Sequence, residues 1–351
     1  MTRKTAEPPE EEHVKKLEEF AQTRPNQLDF FELLGIENKP YSRTIELYDF
    51  IPKYFWGKVE RINGRFLDSL DREFECRGKK YTVRIKPASI DSKDGIEKYF
   101  YPGPREEAVE DALRKIACEE RRSTFLDDRA GVVFTLHELQ QELKRTGHSY
   151  SKDQIKEALQ ICKRTNLIVM SADGASVLES NIFETLGLAT FEDWKTKGSN
   201  AKCFVRFNAL VTNAIRQFDI RRFNYEKAWS YKSVIARQLH KRLSHHYTQA
   251  SGNNNYSIKL TTLIRDFGLK RYPQLRDNLK ELKNALEEMA EKGVLDKYQI
   301  EPIVDAKRHN KLEDATITLW TTYEFDMEVM ESNRERKNTN LPSPKGYYPR
   351  R

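Results

Sequence analysis

Tyr256-Ser257-Ile258-Lys259-Leu260-Thr261-Thr262-Leu263-Ile264-Arg265-Asp266-Phe267-Gly268 reads as a short strand, Ser257 to Leu260, passing directly into a helix. Thr261 or Thr262 is placed to cap that helix, and Gly268 to end it, since glycine tolerates the left-handed backbone of a helix terminus. Tyr272-Pro273 starts a second helix. Its apolar positions, Leu275, Leu279, Leu282, Leu286 and Met289, recur every three or four residues and so share one buried stripe, which leaves Arg276, Lys280 and Lys283 on the solvent side. Gly293 closes the helix. Two strand-like runs follow, Val294 to Ile300 and Thr316 to Trp320, joined by a loop holding Lys307, Arg308, His309 and Lys311. Strand, helix, turn, helix and hairpin make a winged helix with a basic wing tip.

Outward from this stretch, Lys232 to Tyr247 predicts the unit's first helix, with Val234, Ile235, Leu239 and Leu243 inward and Arg237, Lys241 and Arg242 outward. The same order of elements occurs upstream. A helix from Arg105 to Arg122 buries Val109, Leu113, Ile116 and Ala117, and is followed by a strand at Val132 to Phe134. Thr135 caps a helix with Leu136, Leu139 and Leu143 inward. Ser151 caps another, with Ile155, Leu159 and Cys162 inward and Lys152, Lys156 and Lys163 outward. Leu167 to Met170 and Ser176 to Glu179 form a second wing. The repeat is one of architecture, without matching residues.

The fold class is therefore α+β, two winged-helix domains in tandem with a β-hairpin extension to the first and flexible termini. The hairpin is Phe74 to Ile85, turning at Gly78; residues 41 to 86 read as strand-like and 87 to 104 as loop. Expected boundaries are 1–40 for a flexible arm, 41–225 and 226–330 for the two domains, and 331–351 for a disordered basic tail. Within the arm, Gln27-Leu28-Asp29-Phe30-Phe31 is an apolar cluster in polar surroundings, the composition of a docking peptide.

The chain is 33% charged and 38% hydrophobic. No apolar run is long enough for a membrane span and the start carries no signal core, so a cytoplasmic protein is expected. Between Lys202 and Lys283 there are seventeen Lys and Arg against five Asp and Glu, an excess larger than the net +7 of the whole chain. So concentrated a block points to a nucleic-acid partner and salt-dependent binding.

Catalytic readings fail on spacing. A phosphate loop of the GxxxxGK type is missing. His245-His246-Tyr247 sits near a helix end, where basic side chains suit the dipole, and lacks the spaced histidines of a nickase. Asp127-Asp128 and the run Glu10-Glu11-Glu12 lack partners for two-metal chemistry. Asp91, Asp94 and Gly95 read as loop. Cys76, Cys118, Cys162 and Cys203 are too scattered for a metal site. No enzyme, cofactor or metal is expected.

Together, the order of elements and the runs Ile258 to Leu263 and Leu279 to Leu295, the latter containing Glu287-Glu288-Met289-Ala290-Glu291-Lys292-Gly293-Val294, resemble the iteron-binding plasmid replication initiators (Rep), closest to the TrfA type. The peptide Gln27 to Phe31 lies where such proteins carry a sliding-clamp segment. The resemblance implies binding of direct repeats at an origin, the second winged helix reading bases and the first holding phosphates. Base-reading candidates are Arg276, Lys280 and Lys283. Phosphate candidates are Thr261, Thr262, Lys270, Arg271, Lys307, Arg308, His148, Lys152, Lys156 and Lys163. It also implies opening of adjacent A·T-rich DNA, recruitment of clamp, replicative helicase and host initiator, and a homodimer–monomer switch. A winged-helix transcription regulator and a nicking or primase-type enzyme are the rival readings.

Overall fold

The computed structural model describes residues 41–57, 67–76, 78–91, 97–118, 123–126, 129–172, 177–216, 220–247, 254–306 and 311–338. The peptide Gln27–Phe31, the pair Asp127-Asp128, and Lys307, Arg308 and His309 lie outside them.

The first domain opens with β1 (Tyr41–Ile45), α1 (Glu46–Phe50) and an irregular run to Gly57 in which Ile51 and Tyr54 are buried. The expectation of strands here is corrected, because the aromatics serve a packed helix and loop. Next come the hairpin β2 (Leu70–Cys76) and β3 (Lys79–Lys86), then a second hairpin, β4 (Ala88–Asp91) and β5 (Glu97–Phe100), where loop was expected. There follow α2 (Pro104–Cys118), β6 (Ser123–Leu126), β7 (Arg129–Thr135), α3 (Leu136–Arg145) and α4 (Lys152–Arg164). Then come β8 (Asn166–Ser171), β9 (Val177–Asn181), β10 (Phe183–Gly187), α5 (Phe191–Lys197), β11 (Lys202–Phe207), α6 (Ala209–Arg216), β12 (Ile220–Asn224) and α7 (Tyr225–Trp229).

Both expected caps are present as reciprocal boxes. Thr135 accepts from the Glu138 amide while the Glu138 carboxylate accepts from Thr135, and Ser151 and Gln154 do the same for α4. The hairpin β2–β3 extends the first wing into the sheet β2-β3-β8-β9, whereas β7 belongs to a separate sheet, β10-β11-β7-β6. The first winged helix is thus elaborated on both sides.

The second is plainer: α8 (Val234–His246), β13 (Tyr256–Lys259), α9 (Leu260–Asp266), α10 (Leu275–Glu291), β14 (Leu295–Asp305), β15 (Lys311–Thr321) and α11 (Tyr323–Asn338). Its sheet runs β13-β15-β14, and its wing strands are longer than the apolar pattern indicated. The expectation of disorder from residue 331 is corrected by α11, which is helical to Asn338. One core runs from Tyr48 to Trp229 and the other from Tyr231 to Val329, so the two part at Ser230. No helix among the described residues is long and apolar enough to cross a membrane.

The domains meet through charge. On α2 the residues from Glu106 to Ala117 are all buried, the charged ones included, because this helix packs against α8 as well as its own core. Glu107 accepts from Arg237 Nη2 at 2.7 Å, Lys241 Nζ at 3.0 Å and Gln238 Nε2 at 2.6 Å. Asp111 accepts from Lys241 at 2.6 Å and from the Trp229 indole at 3.0 Å. Within the second domain, Arg242 of α8 donates to buried Asp266 at 2.9 Å. The outward placement expected for Arg237, Lys241 and Arg242 is therefore corrected: all three are buried and paired.

Gly268 is fixed by two demands. Its φ is +60°, and a Cβ there would lie 2.5 Å from the Arg72 guanidinium of the first domain. Trp56 adds a bond across the same seam, donating to the Phe267 carbonyl at 2.7 Å.

His240, fully buried on α8, hydrogen-bonds with the Tyr231 hydroxyl through Nδ1 at 3.2 Å and meets Phe325 edge-on. Burial, aided by Lys227 and Lys241, brings its pKa down to about 3. The folded protein keeps it neutral while the unfolded chain protonates it near 6.5, so stability falls as pH drops through that window. Denaturant melts from pH 7 to pH 4 should lose roughly 3 kcal/mol more in the parent than in His240→Phe. Parallel slopes for the two proteins would reject this.

Candidate nucleic-acid interface

The exposed face of α10 is built by its own periodicity. Leu275, Leu282, Leu286 and Met289 are buried and Leu279 is half-buried, which turns Arg276, Lys280 and Lys283 to solvent. None of the three has a hydrogen bond or ion pair among the described residues. They lie four and three residues apart, one stripe about 10 Å long. The next position on the stripe is Glu287, so the positive charge belongs to the N-terminal half of the helix, the end a helix-turn-helix presents to base edges.

A buried residue holds the turn in front of that stripe. The Asn278 amide donates to the Lys270 carbonyl at 2.8 Å, and its oxygen accepts from the Tyr272 amide at 3.0 Å. The turn keeps Lys270 and Arg271 exposed, with the Lys270 ammonium 5.3 Å from the Tyr272 ring centre. Sequence reading missed Asn278; an asparagine at a stripe position that periodicity makes apolar was the available signal. Asn278→Ala leaves two backbone groups unpaired and should cost about 1–3 kcal/mol of stability. It should also weaken DNA binding with the salt slope intact, as titrations at several salt concentrations would show.

Asp314 was missed too. From β15 it accepts from the Thr261 amide at 3.0 Å and from the Thr261 hydroxyl at 2.7 Å, capping α9 across the sheet. The expectation that Thr261 or Thr262 caps α9 is corrected accordingly, as no side chain of its own caps that helix. The Thr261 hydroxyl is engaged inside the fold; Thr262 stays half-exposed. Glu288 is likewise turned inward, accepting from the Lys232 and Ser233 amides ahead of α8 at 2.6 and 3.0 Å. On the wing, Lys311 is exposed.

The first unit differs. The β4–β5 hairpin packs on α4, with Ala88, Ile90 and Ile161 buried together, and Arg164 donates to the Ser89 carbonyl at 2.6 Å. Glu157 takes Arg105 at 2.7 Å. Lys163 donates to the Glu184 carbonyl at 2.7 Å, and Lys152 and Lys156 are half-exposed. His148 stands edge-on to Trp229, ring centres 4.9 Å apart, and burial together with Arg237 lowers its pKa. Both effects disfavour the charged imidazole there. The face of α4 that matches the α10 stripe is thus partly covered.

Of the seventeen basic residues between Lys202 and Lys283, Arg237, Lys241, Arg242 and Arg265 are in ion pairs within the protein. Among the other thirteen, Arg276, Lys280, Lys283, Lys270 and Arg271 are exposed around one surface.

No family model and no curated protein matches the sequence. Among solved structures, the chain aligns with domains 2 and 3 of RctB at TM-score 0.48 and 8% identity, over 79% of this chain and 98% of that one. A second structure of RctB domains 2–3 gives 0.45 and 8%, over 81% and 99%. The Pi initiator protein in complex with iteron DNA gives 0.42 and 12%, over 62% and 91%. Alignments this shallow leave the function to be argued from the chain's own geometry.

Cys76, Cys162 and Cys203 are buried free thiols, and among the described residues no group of three or more His, Cys, Asp or Glu is placed to hold a metal. His245 is buried beside Phe50, 3.9 Å from Asp49.

Proposed function

We propose that this chain is a plasmid replication initiator that binds direct repeats at an origin through its two winged helices. The carrying observation is the uncovered, unpaired stripe Arg276-Lys280-Lys283, set beside Lys270 and Arg271 on a frame locked to the first domain. In this reading α10 enters the major groove and its stripe reads bases. Thr262, Lys270, Arg271, Lys307 and Arg308 hold phosphates nearby, and Lys152 and Lys156 hold them one helical turn away. Binding of several copies strains adjacent A·T-rich DNA and helps it open, without ATP and without catalysis by the chain itself. The peptide Gln27–Phe31 engages the sliding clamp, protein contacts bring helicase and host initiator, and a dimer–monomer switch sets the binding-competent population in the bacterial cytoplasm.

Footprinting on DNA flanking the gene tests this. Protected direct repeats about one or two helical turns apart are expected. A protected inverted repeat would make the protein a transcription regulator, and metal-dependent cleavage of the origin would make it an enzyme.

A further inference from the structure

Where the two domains meet, a cleft of about 1490 Å³ opens behind α9 and α10. Its wall includes Trp56 from the first domain and Val234 and Leu269 from the second, all half-exposed. Its polar groups are unequally engaged. Arg72 donates to the Pro52 and Tyr54 carbonyls and Arg265 to Asp266, while Glu288 caps α8 and Glu281 accepts from Tyr272. That leaves Lys232, Lys270, Arg271 and Lys292 at the rim against Glu73 and Glu291. An apolar wall with a net positive rim suits a peptide that is apolar and acidic.

The chain carries one. From Pro25 to Asn38 there is no Lys or Arg, and Leu28, Phe30, Phe31, Leu33, Leu34 and Ile36 alternate with Asp29, Glu32 and Glu37. It also starts close by. Tyr41 pairs with Asn224, and Asn224 leads through the five-residue α7 to Ser230 on the cleft wall. A cross-strand step of about 5 Å and a helical rise of about 1.5 Å per residue put Tyr41 within roughly 20 Å of the cleft. The ten residues from Phe31 to Tyr41 span up to about 33 Å.

We infer that the interdomain cleft is the docking site for the chain's own segment Leu28 to Ile36, its aromatic and aliphatic side chains against the wall and its carboxylates at the Lys232–Lys292 rim. If that segment is also the clamp peptide, as the proposed function has it, docking withholds it from the clamp until the arm is released. Only this consequence rests on that function.

The test uses the full chain with Phe31→p-benzoylphenylalanine, irradiated without DNA or clamp in an equal mixture of isotopically light and heavy protein. Crosslinks within one chain to residues 55–57, 230–235 or 269–272 are expected. Reversing two rim charges, Lys232→Glu with Lys292→Glu, should cut their yield about tenfold while the thermal melt stays in place. Crosslinks that map elsewhere, form only between light and heavy chains, ignore the charge reversal or fail to form would overturn the inference. Because neither DNA nor clamp is present, the docking and the initiator role fail separately.

Discussion

Glu107→Ala should lower global stability by about 3–5 kcal/mol and the melting temperature by roughly 10 °C, the largest effect expected of any single change at the domain seam. The carboxylate is 1% exposed and holds Arg237, Lys241 and Gln238 at once. Among the described residues, removing it leaves Arg237 against the Trp229 ring, 4.2 Å from its guanidinium carbon, while Lys241 keeps Asp111. A buried cation without its counterion is what makes one-sided deletion severe, whereas replacing both partners by apolar groups is often neutral. Glu107→Met with Arg237→Met should therefore recover much of the loss. Denaturant unfolding of the three variants decides: an alanine variant within about 2 °C of the parent would mean the seam bears little of the fold's stability.

The pH dependence has the same origin. Burial by itself would raise the Glu107 carboxyl, but Arg237 and Lys241 outweigh it and bring it to about 2. The folded value lies below the ordinary 4.5, so this contribution is complete above about pH 4.5 and is lost as pH falls toward 2. Its neighbour Glu110 moves the other way. Burial raises it, and Lys53 and Arg114 only partly compensate, so acid relieves rather than breaks that position. Acid destabilisation therefore begins at His240, below about pH 6.5, and reaches the seam through Glu107 only below about pH 4.5.

What the sequence made legible was local. Thr135 with Glu138, and Ser151 with Gln154, are caps complete within four residues, and Gly268 and Gly293 mark turns whose positive φ few other residues adopt. The α10 stripe follows from periodicity alone, and with it the surface that carries the proposed function. What stayed hidden depends on partners far along the chain. Arg237, Lys241 and Arg242 look solvent-facing until Glu107, Asp111 and Asp266 are seen opposite them, and two of those three acids lie some 130 residues upstream. Asp314 caps α9 from 53 residues away. The β4–β5 hairpin is two four-residue strands, too short for alternation to separate from loop, yet it decides how much of α4 is exposed.

Arg276→Ala should weaken binding to the cognate repeat by about 1–3 kcal/mol, roughly five- to 150-fold, while binding to random DNA falls far less. Arg276 opens the exposed stripe one residue after Leu275 starts α10, at the end a groove-bound helix presents to base edges. Its planar fork matches the two acceptors of guanine, and no carboxylate in the described residues competes for it. Lys280 and Lys283, one and two turns further along, are point charges without that fork, so their alanine variants should lose less discrimination and more salt dependence. Arg271→Ala should act at the phosphate level, weakening cognate and random DNA alike and reducing the salt slope by about one. Titrations of the four variants against cognate and scrambled duplexes, at two or more salt concentrations, separate these roles. Should Arg276→Ala weaken both duplexes equally, its guanidinium holds backbone and the base-reading surface must lie elsewhere on α10 or the wing. Since Asn278 sets the approach of the same turn, Asn278→Ala should lower cognate affinity without changing the ranking of bases at any position, the mark of a residue that aims the reading helix rather than reads.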